Sequence, residues 1–375
     1  MDQVNVLIIG GGVVGCAIAR ELAAKYSDVF LVESAPYLGA GASTRNSGVI
    51  HSGIYYPPGS LKARLCVRGN ILMHEFCAAN SVPYRACGKL VIAANDHETA
   101  TLEKLAANGK KNGVERLRVV DRARIREIEP HIVALAALEV PSTGILNAEE
   151  LLKAFARHAT ERGASLLTRA RVTGLEPAAD AIRARIAIGD EDDLAEETIE
   201  ARCVINCAGL FSDEVAAMLG NKSYRIFPVR GEYCEVVRGK SDLVRTLVYP
   251  VPHDAGVSLG VHLTKTTSGA LWVGPTADYV ASKTDYERDR HPVEEFLDGT
   301  KAMLPEITLQ DLRLAHTGIR SKLLPPGEKG VADFVITPDP RVPRAIQLVG
   351  IESPGLTAAL AIAEHVAPLV AEVLK

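Results

Sequence analysis

Three glycines near the N-terminus, Gly10, Gly12 and Gly15, have the G-x-G-x-x-G spacing that suits a dinucleotide pyrophosphate. The first allows a tight turn, the second lets the backbone approach the phosphates, and the third lets a helix pack closely on a strand. Glu33 lies 18 residues after Gly15, where a carboxylate can accept hydrogen bonds from ribose hydroxyls. An acid at this position disfavours a 2′-phosphate, so the pattern predicts NAD or FAD rather than NADP. Cofactor contacts at this end of the chain are predicted for Gly10, Gly12, Val13, Val14, Gly15, Glu33 and Ser34.

A strand, a helix and a second strand must surround these glycines if they are to bind a cofactor. Residues 4–9 form a short apolar run typical of a buried parallel strand, residues 16–25 have helical composition, and residues 29–33 form a second apolar run. Such a unit places the helix N-terminus, with its unpaired N–H groups and positive dipole end, against the phosphates. The alternative interpretation is a glycine turn with a purely structural role.

The rest of the chain indicates an α/β protein with a second sheet. Residues 34–58 are rich in Gly, Ser and Pro without a clear period, which is typical of a long functional loop. Strand-like runs from Phe227 to Gly274 predict an antiparallel sheet separate from the parallel one. Pro368 should kink the last helix. Helices are predicted at residues 61–80, 97–112, 121–129, 147–163, 292–303 and 356–374, and further strands at 88–93, 172–175, 182–188, 203–206 and 257–263.

The bulk composition argues against several function classes. A net charge of −4 without a basic stripe disfavours nucleic-acid binding. Seven irregularly spaced cysteines without a C-x-x-C pair predict neither a metal site nor a disulfide framework, and they favour a reducing, cytoplasmic location. Beyond the N-terminal segment no apolar run reaches about 18 residues, which predicts no membrane-spanning helix. The acidic cluster at residues 191–197 is interpreted as a solvated hairpin edge.

Four segments beyond the glycine motif carry a resemblance to a known family. They are residues 41–48 (GASTRNSG), 170–175 (ARVTGL), 204–209 (VINCAG) and 350–357 (GIESPGLT). This set resembles the flavin-contacting segments of the D-amino-acid-oxidase-like flavoenzymes, which implies FAD as the cofactor. Asn46 stands where covalent relatives carry a histidine, which implies non-covalent FAD. The resemblance implies further cofactor contacts by Ser43, Thr44, Arg45, Asn46, Ser47, Val172, Ala208, Gly209, Gly318, Gly350, Glu352, Ser353, Pro354, Gly355, Leu356 and Thr357.

The same resemblance implies a domain organisation. An FAD-binding Rossmann-like domain of the glutathione-reductase type is expected to be interleaved with an antiparallel-sheet substrate domain. The FAD-binding domain would comprise residues 1–80, 141–222 and 315–375, and the substrate domain residues 81–140 and 223–314. A helix N-terminus at residues 350–357 would face the flavin, where reduction adds negative charge. Because G-x-G-x-x-G occurs once, no second nucleotide domain is predicted.

Within this family, several segments resemble the L-2-hydroxyglutarate dehydrogenases and oxidases. The resemblance implies oxidation of L-2-hydroxyglutarate to 2-oxoglutarate by hydride transfer to flavin N5, with electrons passing on to oxygen, a quinone or a protein carrier. Oxidation of glycerol 3-phosphate or an amino acid, an NAD-dependent dehydrogenase and a flavin-binding protein without turnover are the alternatives. The chain departs from longer relatives between Gly274 and Gly318 and at residues 352–355, which flank the expected pocket. The resembling segments are residues 45–56, 60–63, 87–90, 230–233, 249–252 and 259–264.

This reaction needs a base that works near neutral pH and cations for the substrate carboxylates. His51, just past the flavin loop, is the first choice for the base by analogy with glycerol-3-phosphate oxidases, and His262 is the second. Either imidazole could instead have a structural role. Arg320 resembles the family's flavin-proximal arginine, and its planar guanidinium suits a carboxylate. Further substrate contacts are predicted for Tyr56, Lys89, Arg230 and Lys265, each of which could instead pack or form a structural ion pair.

Overall fold

The N-terminal segment folds as the glycine motif predicts. The computed structural model describes residues 2–190, 193–252 and 260–375. It begins with strand β1 (Asp2–Ile9), helix α1 (Val13–Ala23) and strand β2 (Val29–Val32). The two strands pair in parallel, with Ile9 beside Val32. The βαβ unit is therefore confirmed, with the helix beginning three residues earlier than its composition indicates.

The next stretch alternates short strands with helices that begin at polar caps. Ser60 Oγ accepts a hydrogen bond from Ala63 N, and Asn95 and Asp121 cap the two following helices in the same way. These contacts satisfy N–H groups that a helix leaves unpaired. The elements are β3 (Val49–Ile50), α2 (Leu61–Ala79), β4 (Tyr84–Arg85), β5 (Lys89–Ala93), α3 (Asp96–Lys111), β6 (Arg118–Asp121), α4 (Arg122–Ile128), β7 (Ala136–Val140) and β8 (Gly144–Leu146).

The remaining elements complete both sheets. Asn147 caps the helix that follows it, as the sequence predicts, and Pro368 lies inside the last helix. The elements are α5 (Ala148–Glu161), β9 (Ser165–Leu167), β10 (Ala170–Pro177), β11 (Ile182–Asp190), β12 (Asp193–Asn206), α6 (Ser212–Met218), β13 (Phe227–Val236), β14 (Leu247–Pro250), β15 (His262–Lys265), β16 (Leu271–Gly274), β17 (Asp278–Tyr279), α7 (Val293–Lys301), β18 (Leu312–Lys322), β19 (Val335–Pro338), β20 (Ala345–Val349) and α8 (Gly355–Val373).

The first sheet contains a parallel core in the order β20-β12-β1-β2-β9. The strands β10, β11 and β12 extend it as an antiparallel meander. Because carboxyl ends of parallel strands meet at one edge, Gly10 after β1, Glu33 after β2 and Cys207 after β12 lie together there. Apolar clusters cover both faces of the sheet.

The second sheet has the order β17-β13-β16-β15-β14-β5-β7-β6, with β18 also paired to β13. The antiparallel sheet predicted for residues 227–274 is confirmed, because β13, β16, β15 and β14 pair antiparallel in that order, while β5 extends the sheet by pairing with β14 in parallel. More than 150 residues separate these two strands in the sequence, which leaves ample length for the crossover that a parallel pair needs. The strand expected at residues 257–263 falls partly outside the described residues, and β15 begins at His262.

Segments of the chain alternate between the two sheets, and a small sheet of β3, β8 and β4 is a third unit. The domain boundary expected at residue 315 falls inside β18, which pairs with β13 along nearly its whole length. Residues 312–322 therefore hydrogen-bond as part of the second sheet before the chain returns to the first sheet at β19, which pairs with β20.

Helix α8 is the single helix among the described residues that is long and apolar enough to cross a membrane. More than half of that apolar stretch is buried inside the fold, where α8 packs against α1 and α2. Gly69 allows the close approach of α2, because a Cβ there would lie 2.7 Å from the Cα of Ala358. These features are typical of the core helix of a globular fold.

Candidate active site and cofactor cleft

A cavity of about 910 Å³ extends from the carboxyl edge of the first sheet to the face of the second sheet. Gly10, Glu33 and Ala208 line one end, whereas His51 and Arg320 belong to the other. Its volume is near the upper limit of small-molecule pockets, and it is large enough for a dinucleotide and a small substrate together. The residues that the sequence singled out for phosphate binding and for acid–base chemistry therefore share one cavity.

The glycine motif forms a tight turn at the first end. Gly10 has a φ of +112° and Gly12 is the N-cap of α1 without a side-chain capping bond. A Cβ on Gly15 would collide with the carbonyl oxygen of Gly10. Ser43 Oγ, from the loop at residues 41–48, accepts a hydrogen bond from Val13 N at 2.8 Å. The N-terminus of α1 consequently opens on the cavity and suits an anionic pyrophosphate.

Glu33 is held at the end of β2 by backbone donors. Its two carboxylate oxygens accept hydrogen bonds from Gly11 N and Ala35 N, each at 2.8 Å. An ionised carboxylate has about four lone-pair sites, so these bonds leave capacity for ribose hydroxyls. Glu33 lines the cavity, which puts this capacity where the motif requires it.

A second helix N-terminus opens on the same cavity. Helix α8 begins after Ser353 and Pro354, which line the cavity, and it has no side-chain cap. The preceding Glu352 forms an ion pair with Lys62 at 2.9 Å, and the Lys62 side chain is only 3% exposed. Two uncapped helix N-termini with aligned N–H groups fit a long ligand that carries negative charge at two places, as a flavin dinucleotide does.

His51 lines the far end of the cavity, and its backbone is fixed from both sides. His51 N donates to Thr357 Oγ1 at 2.9 Å, and Asn70 Nδ2 donates to the His51 carbonyl at 3.0 Å. Its Nε2 lies 3.3 Å from Ser353 Oγ, while its buried Nδ1 has no hydrogen-bond partner within the described part of the chain. Burial, together with the charges of Lys89 and Arg320, lowers the pKa of His51 to about 3, so the imidazole is neutral near pH 7.

His262, at the start of β15, lies in the same wall. Its Nδ1 lies 2.8 Å from the carbonyl oxygen of Gly260, which can only accept, so Nδ1 carries the proton and Nε2 is the acceptor nitrogen. The ring stacks on Tyr249 with 3.7 Å between centroids. Burial lowers the pKa of His262 to about 3. Its tautomer and orientation are therefore set before a ligand arrives.

Arg320 reaches the cavity from β18, and Tyr233 reaches it from the neighbouring β13. The Tyr233 hydroxyl hydrogen-bonds with Arg320 and with Ser47, and burial raises the pKa of this tyrosine. Arg320 has no carboxylate partner within ion-pair distance among the described residues. Its guanidinium is thus held by a neutral hydroxyl and remains available to an anion.

Lys89 lies behind this wall rather than in it. Its side chain is fully buried, and its Nζ is 3.3 Å from the Tyr55 hydroxyl and 4.8 Å from the centroid of Tyr249, which lines the cavity. No carboxylate of the described chain forms an ion pair with it. Burial lowers the pKa of Lys89 to about 7, so about half of the lysines are charged near neutral pH.

Comparison with known proteins identifies the family to which this chain and its cavity belong. The family model described as FAD dependent oxidoreductase matches residues 5–369. The chain belongs to the FAD-dependent oxidoreductases. The mitochondrial L-2-hydroxyglutarate dehydrogenase of Nematostella vectensis is 33% identical, over 99% of this chain and 91% of that protein. That of Mus musculus is 34% identical, over 96% of this chain and 86% of that protein.

A solved structure extends this result to three dimensions. The dithionite-reduced L-alpha-glycerophosphate oxidase of Mycoplasma pneumoniae, with FAD bound, has a TM-score of 0.88 and 26% identity to this chain. The match covers 99% of this chain and 95% of that one. FAD is therefore the cofactor of this oxidoreductase, and the predicted α/β fold with an FAD-binding Rossmann-like domain is confirmed. FAD, when bound, supplies the capacity to accept a hydride.

Most residues predicted to contact FAD line the cavity of this oxidoreductase. Four do not line it and have other contacts. Gly15 packs against Gly10, Thr44 Oγ1 donates to the Gly39 carbonyl at 2.8 Å, Gly350 packs against Leu323, and Thr357 bonds to His51. Those that line the cavity are Gly10, Gly12, Val13, Val14, Glu33, Ser34, Ser43, Arg45, Asn46, Ser47, Val172, Ala208, Gly209, Gly318, Glu352, Ser353, Pro354, Gly355 and Leu356.

Two predicted substrate cations have other partners instead. Arg230 forms a buried ion pair with Glu232 at 2.8 Å and also bonds to backbone carbonyls of residues 288 and 289. Lys265 Nζ lies 3.0 Å from Asp242 Oδ1 and bonds to the Ser241 carbonyl. Neither lines the cavity. Their predicted role in substrate contact is corrected, because Arg230 pairs with Glu232 of the same strand and Lys265 pairs with Asp242 of the 3₁₀ turn at residues 238–243.

Tyr56 is buried beside Ser353, in the turn that precedes α8, and does not line the cavity. It packs with Ala63 and Cys66, and its hydroxyl hydrogen-bonds to the side chain of Ser353. Ser353 in turn lies beside His51 Nε2. The structure therefore places Tyr56 in contact with the residue that positions His51, rather than over the substrate.

Sequence reasoning gave no role to Tyr233 and Tyr249, although both line the oxidoreductase cavity. For Tyr233, the alternation of residues along a strand could have indicated this position. Alternate residues of a strand share a face, so Gly231 and Tyr233 of β13 point the same way, as do Gly318 and Arg320 of β18. Gly231 pairs directly with Gly318, which aligns these faces across the ladder.

Proposed function

We propose that this enzyme oxidises L-2-hydroxyglutarate to 2-oxoglutarate with FAD as the oxidant. The observation that carries the proposal is the charge around the reactive end of the cavity. Arg320 lines this end, Lys89 lies behind its tyrosine wall, and neither cation has a carboxylate partner in the described residues. A dicarboxylate supplies the missing negative charges. The names of the two dehydrogenases that are 33% and 34% identical support the same substrate.

Each residue has a distinct task in this proposal. Arg320 binds the C1 carboxylate through its planar guanidinium, while the buried charge of Lys89 attracts the distal carboxylate through the tyrosine wall. His51 accepts the proton of the C2 hydroxyl as the C2 hydrogen leaves with its electron pair to FAD. The C–H and O–H bonds break, the C2 carbonyl forms, and the substrate loses two electrons and two hydrogens in total.

His262 orients the substrate in this scheme. Its proton is committed to the Gly260 carbonyl, so its Nε2 can only accept a hydrogen bond from the C2 hydroxyl or from a water. Stacking on Tyr249 fixes the ring plane. We infer that His51 rather than His262 removes the proton, because Ser353 places His51 Nε2 beside the turn at the N-terminus of α8.

Glycerol 3-phosphate is the second candidate substrate. The Mycoplasma pneumoniae structure, at a TM-score of 0.88, is that of an L-alpha-glycerophosphate oxidase. A phosphate dianion would also be attracted by Arg320 and Lys89. Oxidation at a secondary hydroxyl would use the same base and the same hydride acceptor. The charged groups and histidines around the cavity therefore do not by themselves distinguish the two substrates.

The test is a comparison of substrates under anaerobic conditions. Holoenzyme is mixed with L-2-hydroxyglutarate, D-2-hydroxyglutarate, L-lactate, glycerol 3-phosphate or glycine, and loss of the flavin absorbance at about 450 nm is followed. The proposal expects reduction to be at least about 100-fold faster with L-2-hydroxyglutarate than with any other compound. Faster reduction by glycerol 3-phosphate would overturn the substrate assignment, and faster reduction by glycine would transfer it to amino acids.

The acceptor and the location are further proposals. We infer that electrons leave reduced FAD for oxygen, a quinone or a protein carrier, because G-x-G-x-x-G occurs once in the chain. We propose a cytoplasmic location on the strength of seven free cysteines. Cell fractionation tests the location, and a membrane-bound pool would favour a quinone as acceptor.

A further inference from the structure

A short segment of the substrate side covers the cofactor cleft. Residues 282–286, between β17 and α7, are called the strap below. Lys283, Thr284 and Tyr286 of the strap line the cavity. On the opposite side the cavity is lined by Arg45 and Glu214, which belong to the flavin loop and to α6. The strap and its partners therefore enclose the cleft from two directions.

The first cross-link of the strap is ionic. Lys283 Nζ lies 2.8 Å from Asp213 Oδ1 and 2.6 Å from Glu214 Oε1. Only 17% of the Lys283 side chain and 14% of the Asp213 side chain is exposed. The other oxygen of Asp213 accepts a hydrogen bond from Ile226 N, so the carboxylate cannot follow the lysine if the strap moves. This pair is shielded enough to be stronger than a fully exposed one.

The second cross-link is a cation–π contact. The Arg45 guanidinium lies 4.2 Å from the centroid of the Tyr286 ring. The carbonyl oxygen of Tyr286 accepts a hydrogen bond from Thr317 Oγ1 at 2.8 Å, which anchors the strap to β18. A guanidinium over a tyrosine face is attractive, and more so when both groups are partly buried.

The strap itself is internally ordered. Ser282 Oγ accepts hydrogen bonds from Thr284 N and Asp285 N. Asp285 Oδ1 accepts from the backbone N–H groups of residues 287 and 288. A segment braced in this way moves as a unit, so breaking its two cross-links would lift it from the cleft without rebuilding it.

We propose that the strap is a latch that retains FAD, and that the pairing of Lys283 with Asp213 and Glu214 is the contact that sets the rate of FAD release. The proposal concerns cofactor retention and is independent of which substrate is oxidised. An FAD molecule that occupies the cleft from Glu33 to Ser353 lies beneath the strap. It can leave only after Lys283 has separated from the two carboxylates or the cleft has opened elsewhere.

The experiment measures FAD release from the holoenzyme. Released FAD fluoresces more strongly than bound FAD, so its release after dilution can be followed directly. Lys283→Gln removes the charge and leaves a polar side chain that is one atom shorter, and we expect release about tenfold faster than in the unaltered enzyme. Added salt should speed release in the unaltered enzyme and have little effect in the variant.

Three further variants separate the latch from a general loss of stability. Lys153→Gln removes a lysine that pairs with Glu150 at 2.8 Å on the surface of α5, away from the cavity, and should leave the release rate unchanged. Lys283→Glu should release FAD faster than Lys283→Gln, and adding Glu214→Lys should slow it again by restoring one pair. If Lys283→Gln and the unaltered enzyme released FAD at the same rate, the latch would be overturned. It would also be overturned if Lys153→Gln accelerated FAD release as much as Lys283→Gln does.

Discussion

His51 and Lys89 owe their chemical character to the same burial. Removing a charged form from water lowers the pKa of a histidine and of a lysine alike, and the charge of Lys89 lowers the pKa of His51 further. The outcome differs because their ordinary values differ. His51 is neutral throughout the physiological range, whereas Lys89 changes charge near pH 7. One residue is therefore uncharged when the substrate binds, and the other makes binding of an anion depend on pH.

Replacing His51 should slow chemistry more than binding. With His51→Ala we expect anaerobic flavin reduction to slow on the order of 100-fold, because the C2 hydroxyl loses its proton acceptor. Stopped-flow absorbance measures the rate. The matched control is His97→Ala on the exposed surface of α3, which should reduce its flavin at the normal rate. A large loss in His262→Ala with normal reduction in His51→Ala would assign the base to His262 instead.

Replacing Lys89 should raise KM for a dicarboxylate substrate and remove the dependence of this KM on pH. The pKa of Lys89 lies below its ordinary value, so its charge is present below about pH 7 and is lost above it. We expect KM for a dicarboxylate to rise with pH above this point. Lys89→Met should raise KM roughly tenfold at acid pH, since a charge about 10 Å from an anion, across the tyrosine wall, contributes about 1.7 kcal/mol at an effective dielectric constant of about 20.

Steady-state kinetics over a pH series provide the measurement for Lys89. Met has a similar length and no charge, so the KM of Lys89→Met should not respond to pH near neutrality. If KM of the unaltered enzyme is flat between about pH 6 and pH 8, Lys89 does not contribute to anion binding in the way proposed.

At the scale of elements, the pairing of β13 with β18 shapes the cavity. Gly231 and Gly318 face each other across the ladder, and a Cβ on Gly318 would collide with the carbonyl oxygen of Arg45. The flavin loop can therefore lie directly on the sheet only because this position lacks a side chain. The same strand then presents Arg320 two residues later on the same face.

Gly318→Ala should displace the flavin loop and weaken FAD binding. We expect the Kd for FAD to rise about tenfold or more, because either β18 or residues 41–48 must move away. Fluorescence titration of FAD-depleted protein measures this value. Gly239→Ala is the matched control, since a Cβ there meets nothing within 4 Å. An unchanged Kd in Gly318→Ala would mean that this close approach does not position the cofactor.

Local patterns in the sequence predicted the elements around the glycine motif well. The β1–α1–β2 unit needs only an apolar run, three glycines and an acid within about thirty residues of sequence. By contrast, His51, His262 and Arg320 come from three elements far apart in the chain, and composition carries no information on which elements meet. Their common location followed from family resemblance alone.

The charged residues show a second limit of sequence reasoning. A lysine or arginine next to a motif can bind substrate or pair with an acid, and its type does not distinguish the two. For Arg230 the sequence did contain a clue, because Glu232 is two residues away and shares its strand face. For Lys265 the partner is Asp242, on a 3₁₀ turn 23 residues away, and no local pattern points to it.

At the scale of the whole molecule, pKa values are lowered for His51 and His262 in the reactive wall and for His316, which stacks on the cavity-lining Tyr233. Burial is the main cause in each case, and the values are about 3 for His51 and His262 and about 4 for His316. In the unfolded chain a histidine has a pKa of about 6.5. As the pH falls below that value the unfolded state takes up protons that the folded state does not, so stability falls.

The free energy of unfolding should therefore decrease from about pH 6.5 downwards, at about 1.4 kcal/mol per pH unit for each such histidine. His316→Gln, which removes one of these groups, should make the slope between about pH 5 and pH 6 shallower by about 1 kcal/mol per pH unit. Urea denaturation at several pH values measures it. A slope that His316→Gln leaves unchanged would show that this residue is protonated in the folded enzyme.

The central claim is that this FAD enzyme takes a hydride from C2 of L-2-hydroxyglutarate. The most direct measurement is an anaerobic titration of the holoenzyme with this compound, in which flavin absorbance at about 450 nm and 2-oxoglutarate are quantified together. We predict that the flavin bleaches, that one 2-oxoglutarate forms for each flavin reduced, and that deuterium at C2 slows the bleaching several-fold. A flavin that stays oxidised in excess L-2-hydroxyglutarate, or that bleaches without forming 2-oxoglutarate, would contradict the account.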